Sequence, residues 1–205
     1  MSRVLAVLLA LLAVYYTLRP EIVLGDPDVW WHIHTGRDII ANWRVPYEDR
    51  YSYTFAGQPW IAKEWLSQVL LAAAYNTGGW SGVMLLSAIA VAAALAVLYL
   101  ELSKQLRLPV AALIILAIAV VLTPVVIARP HIFTFLPMVI VTARLFGSAA
   151  RGQAPEFWLL ALVVLWANLH GSFTLALMIA GIGFLTAVET SRLSDRALLA
   201  KWIAF

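Results

Sequence analysis

The 205-residue sequence contains no cysteine and few charged residues. The missing thiol excludes disulfides, thiolate metal sites and a cysteine nucleophile, and it leaves the redox compartment open. Only 12% of the residues are Asp, Glu, Lys or Arg, about half the share that soluble domains carry. The 14 Lys and Arg residues form no basic run, so the net charge of +3 does not indicate nucleic-acid binding. No repeat or low-complexity tract divides the chain, and we expect one domain over residues 1–205.

Hydrophobic residues make up 63% of the sequence, and the mean hydropathy is +0.88. This composition is typical of an integral membrane protein, in which each spanning helix needs about 20 mainly apolar residues. We therefore predict an all-α membrane protein with six transmembrane helices. The first apolar segment follows Arg3 but has no small-residue cleavage site after it, which predicts an uncleaved anchor. The predicted spans are 4–18, 81–100, 109–128, 132–146, 157–169 and 173–188.

The distribution of lysine and arginine over the loops predicts the orientation of the chain. A cytoplasmic N-terminus places most of these residues on the cytoplasmic side. The remaining large segment, residues 25–80, would then be an external loop, because long segments translocate largely regardless of charge. We expect a multi-pass membrane protein with a cytoplasmic N-terminus. The Lys and Arg residues on the cytoplasmic side would be Arg3, Lys104, Arg107, Arg144, Arg151, Arg192, Arg196 and Lys201.

Two amphipathic helices are predicted within residues 25–80. The first covers residues 28–43, is capped by Asp28 and lies along the membrane surface. The second covers residues 62–75 and ends at Gly78 and Gly79, with an extended stretch and a turn between the two helices. The apolar face of the first helix would comprise Trp30, Ile33, Ile40 and Trp43.

The stretch "GDPDVWWHIHTG" combines carboxylates and histidines in an otherwise apolar chain. On a helix that starts at Asp28, the pairs Asp28/His32 and His34/Asp38 are i,i+4 neighbours. One interpretation is that Asp26 and Asp28 cap the helix and the histidines are solvated. Another is a divalent metal site, for Mg²⁺ or Mn²⁺, formed by Asp26, Asp28 and His32. The spacing matches no dedicated metal motif, so both interpretations stay open.

Further polar residues fall at the ends of predicted spans on the same side as this stretch. They are Arg129 and His131 in "ARPHIF", Asn168 and His170 in "WANLHGSF", and Glu64 in "AKEW". Each has a structural explanation: an arginine that extends to the interface, side chains that satisfy a turn, and a carboxylate at a helix N-terminus. Polar groups near a membrane are nevertheless costly without a partner or a function. Their common side predicts one external pocket shared with Asp26, Asp28 and His32.

The stretches "GDPDVWWHIHTGRDI", "VPYEDRYSYTFAGQPWIAKEWLSQVLL", "ARPHIFTF" and "WANLHGSF" resemble the N-terminal part of bacterial polytopic proteins related to the GT-C superfamily. Members of this superfamily are membrane glycosyltransferases that use polyprenyl-phosphate-linked sugars. The resemblance implies that Asp26 or Asp28 is the catalytic or metal-binding carboxylate and that Arg129 binds the lipid phosphate. Such enzymes have more spans and often a C-terminal domain. We therefore expect this chain to be part of a longer protein or to be completed by another membrane subunit.

These observations assign roles to the candidate residues. The catalytic candidates are Asp26, Asp28 and Glu64, and Arg129 is the candidate for the phosphate. Two other functions stay open: a transporter or flippase for lipid-linked or anionic substrates, with Pro124 and Pro130 at a broken helix, and an assembly subunit without chemistry. The candidate substrate-binding residues are His32, His34, Arg129, His131, Asn168 and His170.

Overall fold

The computed structural model describes residues 15, 19–190 and 196–205 of the chain. The predicted first span, 4–18, therefore lies outside the described residues except for Tyr15. The described part is helical and contains no β-strand, only one isolated bridge between Glu48 and Pro59. Four of its helices are long and apolar enough to cross a membrane: Trp65–Leu102, Leu108–Val125, Pro130–Ala150 and Gly171–Thr190.

The described part holds the following elements in chain order. Short 3₁₀ turns at Thr123–Val125, Pro130–Thr134 and Gly171–Phe173 extend or introduce the longer helices. The α-helices are α1 (Pro20–Val23), α2 (Asp28–Asn42), α3 (Trp65–Leu102), α4 (Leu108–Leu122), α5 (Phe135–Ala150), α6 (Leu159–Leu169), α7 (Thr174–Thr190) and α8 (Arg196–Ala204).

The predicted spans match these helices unequally. The spans predicted at 81–100, 132–146 and 173–188 fall within long apolar helices. The span predicted at 109–128 ends early, because the chain passes through a 3₁₀ turn at Thr123–Val125. The span predicted at 157–169 is the 11-residue helix α6, which at 1.5 Å per residue is about 16 Å long. This helix is too short to cross a bilayer by itself.

Helix α2 covers nearly the range predicted for it, but its cap differs from the prediction. The Asp26 side chain accepts a hydrogen bond of 2.9 Å from the backbone N–H of Asp28, which is the first helical residue rather than the cap. The helix ends where Trp43 adopts a left-handed conformation with φ of 50°. Of the predicted apolar face, Ile33 is buried in the bundle, whereas Trp30, Ile40 and Trp43 are exposed on the protein surface.

The buried face of α2 packs on the first turns of α3 through Gly36. A Cβ atom at position 36 would lie 2.0 Å from the backbone oxygen of Gln68 and 2.8 Å from Cβ of Ala72. Only glycine permits this approach, which buries Val29 and Ile33 in a core shared with α3 and α4. The tight contact fixes α2 against the bundle.

The second predicted amphipathic helix begins at Trp65, three residues later than predicted, and is interrupted at the predicted glycine pair. Gly79 has a φ of 56° and a ψ of −145°, which are not helical. Glycine adopts such positive φ values readily. Helix α3 therefore consists of two helical segments, the amphipathic one and the following span, joined by a kink at Gly79.

Successive long helices run in opposite directions, so their termini meet at two ends of the bundle. The cavity end comprises residues 24–32 and 63–68 together with residues 123–134 and 168–174. The far end comprises residues 101–108 and 144–158. A second core of Leu145, Leu159, Ala187 and Trp202 joins α5, α6, α7 and α8.

Candidate functional site

A cavity of about 690 Å³ lies at the cavity end, where four separate segments of the chain meet. The start of α2, the residues before α3, the turn before α5 and the turn after α6 each contribute side chains. Cavities of this size commonly bind small molecules or parts of larger ligands. The lining residues are Asp28, Trp31, His32, Lys63, Glu64, Arg129, Pro130, His131 and His170.

Arg129 joins two of these segments through ion pairs with both aspartates of the first polar stretch. Its Nε atom lies 3.2 Å from Oδ2 of Asp26, and its Nη2 atom contacts Oδ2 of Asp28. Backbone contact supports this junction, since the N–H of Ala128 donates a 2.7 Å hydrogen bond to the oxygen of Val23. The Arg129 side chain is only 35% exposed, so its charge is partly withdrawn from water and matched by the two carboxylates.

Glu64 and His170 form a second pair across the cavity. His170 Nε2 lies 3.4 Å from Oε1 of Glu64, and both side chains are largely shielded from solvent. Burial raises the pKa of Glu64, against the attraction of the neighbouring Lys63 charge. Burial also lowers the pKa of His170, and the Lys63 charge lowers it further. Both shifts favour the neutral forms, and a desolvated carboxyl beside an imidazole is suited to proton transfer.

His32 is buried between the cavity and helix α3. Its Nδ1 atom lies 3.4 Å from Nε2 of Gln68. Loss of hydration lowers the pKa of His32 to about 4; Asp26 opposes this shift, whereas His170 and His131 add to it. His32 is therefore a neutral imidazole at physiological pH, able to donate or accept a hydrogen bond.

His131 and Asn168 hold the walls of the cavity in place. His131 Nε2 lies 2.7 Å from the backbone oxygen of Val125, which ties the turn before α5 to the end of α4. Its ring centre is 6.4 Å from that of His170. Asn168 does not line the cavity: its Oδ1 accepts a 2.7 Å hydrogen bond from Nε1 of Trp65, which joins α6 to α3.

Two predicted residues lie away from the cavity or only beside it. His34 is exposed on the opposite side of α2, where its ring packs against Tyr51 with centres 5.5 Å apart. Asp38, its expected partner, instead accepts a 2.7 Å hydrogen bond from the hydroxyl of Tyr51. Asp26 reaches the site only through Arg129 and does not line the cavity.

Reasoning from the sequence missed Lys63 and Trp31, both of which line the cavity. Lys63 directly precedes the predicted Glu64, and this adjacency was the signal that could have identified it. Trp31 carries an edge-to-face cluster with Tyr51 and Trp60 at ring distances of 4.5 and 5.8 Å. The approach of residues 51 and 60 to α2 is a tertiary contact that helical periodicity does not reveal.

The described residues do not group Asp26, Asp28 and His32 as a metal site would require. Within the part of the chain that the structure describes, no group of three His, Asp or Glu side chains is placed to hold a metal ion. The physical reason is Arg129, whose guanidinium contacts both aspartates where a cation would bind. Two carboxylates are thus matched by a fixed positive charge of the protein itself.

An apolar groove of about 340 Å³ lies between α3, α5 and α6 and has almost no polar surface. Three of its residues are within two positions of cavity residues in sequence: Leu66 near Glu64, Phe133 near His131, and Leu169 next to His170. The groove and the cavity are therefore built partly from the same segments of the chain.

No protein-family model, no curated protein and no solved structure matches the chain. The GT-C resemblance therefore stays a prediction that rests on the residues.

Proposed function

We propose that the protein is a membrane glycosyltransferase of GT-C type, which transfers a sugar from a polyprenyl-phosphate donor to an acceptor. The observation that carries the proposal is the joint presence of the Glu64 and His170 pair and an apolar groove built partly from the same segments of the chain. The pair supplies proton chemistry, and the groove fits a hydrocarbon chain. A soluble substrate would have no use for the groove.

In the proposed reaction, Glu64 is the general base. Its carboxylate takes the proton of an acceptor hydroxyl while the acceptor oxygen bonds to the anomeric carbon of the donor sugar. The bond between that carbon and the phosphate oxygen breaks, and the polyprenyl phosphate leaves with the electron pair. The raised pKa of Glu64 favours this role, because a base works best when its pKa approaches the working pH.

The aspartates contribute differently in this proposal. Asp26 and Asp28 both contact Arg129, so we assign them to positioning the start of α2 beside the cavity. This assignment departs from the role that the GT-C resemblance implies for them. Glu64 differs from Asp28, the other carboxylate that lines the cavity. In the described residues, no arginine or lysine lies within ion-pair distance of Glu64.

We further propose that the cavity end faces the outside of a bacterial inner membrane. Basic residues at the far end support this orientation, since cytoplasmic loops carry an excess of lysine and arginine. With a cytoplasmic N-terminus, the first predicted span would precede α1. The donor would then enter sideways from the bilayer along the groove.

A transfer assay tests the proposal. Purified protein in proteoliposomes is incubated with labelled polyprenyl-phosphate sugars and with membrane extracts as a source of acceptor. Transfer to acceptor is expected for the wild type, and Glu64→Gln should lower the rate by about 100-fold or more, the usual worth of a general base. Glu101→Gln is the matched control, because Glu101 lies at the far end in a local pair with Lys104.

The other functional classes predict different outcomes in the same vesicles. Movement of labelled lipid or of a small anion across the membrane without covalent transfer would indicate a flippase or transporter. Neither transfer nor movement would indicate an assembly subunit. Transfer that persists at full rate in Glu64→Gln would remove Glu64 as the base.

A further inference from the structure

The geometry points to Lys63, and not Arg129, as the residue that binds an anionic group such as a phosphate in the cavity. We infer that Arg129 instead fixes the start of α2. This inference deepens the proposed function, on which its lipid-phosphate form rests. It also reverses the role that sequence resemblance implies for Arg129.

Arg129 already has its charge matched. Its guanidinium contacts Asp26 and Asp28 on two of its nitrogen atoms, and both contacts cross about a hundred positions of sequence. An anion that approached Arg129 would meet two carboxylates that carry more negative charge than the guanidinium offsets. Displacing the largely shielded Asp26 carboxylate would also leave it without its partner, which is costly.

Lys63 differs in each of these respects. No carboxylate oxygen lies within 4.0 Å of its ammonium in the described residues, yet the side chain lines the cavity. Its charge acts on both members of the pair across the cavity. It adds to the lowering of the His170 pKa by burial and opposes the rise of the Glu64 pKa by burial. Lys63 is therefore the cation of the cavity whose charge is not matched at close range.

The exposed Lys63 side chain extends past the turn after α6. Its terminal atoms lie along Gly171, so that a Cβ atom at position 171 would be 3.6 Å from Nζ and 3.8 Å from Cδ. The residue stands two positions before the N-terminus of the long helix α3. The partial positive charge of that helix end adds to the potential that an anion meets at Lys63.

Two sources of phosphate fit this chemistry: the headgroup of a lipid phosphate and free inorganic phosphate. The probes are accordingly a labelled polyprenyl phosphate, the uncharged polyprenol of equal length, and inorganic phosphate as competitor. Equilibrium binding is measured for the whole chain in nanodiscs of zwitterionic phosphatidylcholine. A headgroup source predicts that polyprenyl phosphate binds much more tightly than inorganic phosphate, because the groove adds apolar burial.

The decisive variants are Lys63→Met, which keeps the apolar stem, and Lys63→Arg, which keeps the charge. Lys63→Met should weaken binding of the phosphorylated probes at least tenfold, without changing that of polyprenol. Lys63→Arg should stay within about threefold of the wild type. Lys104→Met, an exposed lysine at the far end, is the matched control and should bind as the wild type does. Added salt should weaken wild-type binding more than that of Lys63→Met.

Unchanged phosphate binding in Lys63→Met, or a wild type that does not prefer phosphorylated probes over polyprenol, would overturn the inference. Its failure is separable from failure of the proposed function. Phosphate binding through Lys63 without sugar transfer would retain the anion site and reject the transferase. Sugar transfer with normal phosphate binding in Lys63→Met would do the reverse.

Discussion

The cavity end and the far end of the bundle use polar residues in opposite ways. At the cavity end, polar pairs join positions about a hundred residues apart, as between Arg129 and Asp26 or His170 and Glu64. At the far end the pairs are closer in sequence: Lys104 and Glu101 are three positions apart, and Arg144 and Glu156 are twelve. Both ends carry charge, but among the described residues the pairs at the cavity end join the more distant segments.

The difference shows why counting charges does not locate a site. Exposed local pairs such as Lys104 and Glu101 contribute about 0–1 kcal/mol and suit a solvated helix end. Pairs that are partly buried cost hydration and persist only with good partners. Three of the four histidines of the sequence, His32, His131 and His170, line the cavity. Desolvated, partner-dependent polar groups are the better indication of a functional surface.

Labelling of single cysteines tests whether the two ends lie on opposite sides of the membrane. The expected effect is the largest, because each variant should be either labelled or unlabelled. The natural sequence has no cysteine, so Tyr53→Cys and Arg151→Cys each introduce one thiol. Tyr53 is fully exposed in the segment before α3, and Arg151 is exposed at the far end. An impermeant thiol reagent should label only the Tyr53→Cys variant in intact cells, and both variants after the membrane is opened.

Labelling of Arg151→Cys alone in intact cells would invert the proposed orientation and place the cavity on the cytoplasmic side. The ion pairs and the cavity would be unaffected by that result. The proposed acceptor would change, since it would then have to be a cytoplasmic molecule.

Local rules predicted the helices better than they predicted the site. The interval of 28–43 nearly matches α2 because its pattern and its end are set by adjacent residues. Asp26, and not Asp28, accepts the hydrogen bond from the first backbone N–H of the helix, although both carboxylates contact Arg129. The order of the spans along the chain was sufficient to predict Arg129 and His170 at the same end as the aspartates. The role of Lys63 depends on which charges are already paired, and a single sequence does not contain that information.

A stability measurement sharpens the comparison, with an effect smaller than the labelling result. Gly36→Ala should destabilise the protein by about 3 kcal/mol, as overpacking does in a tight core, because its Cβ would meet the backbone oxygen of Gln68. The loss separates α2 from α3 and opens the cavity end. Gly181→Ala is the control, since nothing lies within 4 Å of its Cβ position, and it should be neutral or stabilising.

Thermal unfolding in detergent, followed by circular dichroism, measures both glycine variants. Equal melting temperatures for Gly36→Ala and the wild type would show that α2 does not depend on close contact with α3. The long-range assembly of the cavity end would then need another explanation.

The smallest expected effect is the pH dependence that buried His32 gives to stability. Its pKa is about 4 in the folded protein, against an ordinary value of 6.5 for histidine, so the unfolded chain binds the proton more readily. The resulting stability is fully present above pH 6.5 and is lost as the pH falls through 4. Between pH 7 and pH 5 the loss should be about 2 kcal/mol, since a tenfold change in proton affinity corresponds to about 1.4 kcal/mol.

His32→Gln should flatten the dependence of the unfolding free energy on pH, leaving the part that His170 contributes through its lowered pKa. His34→Gln is the matched control, because His34 is exposed on the same helix, and it should keep the wild-type slope. If His34→Gln flattened the pH dependence of stability and His32→Gln did not, the buried imidazole would be His34 and not His32. The packing of α2 at the cavity end would then be contradicted.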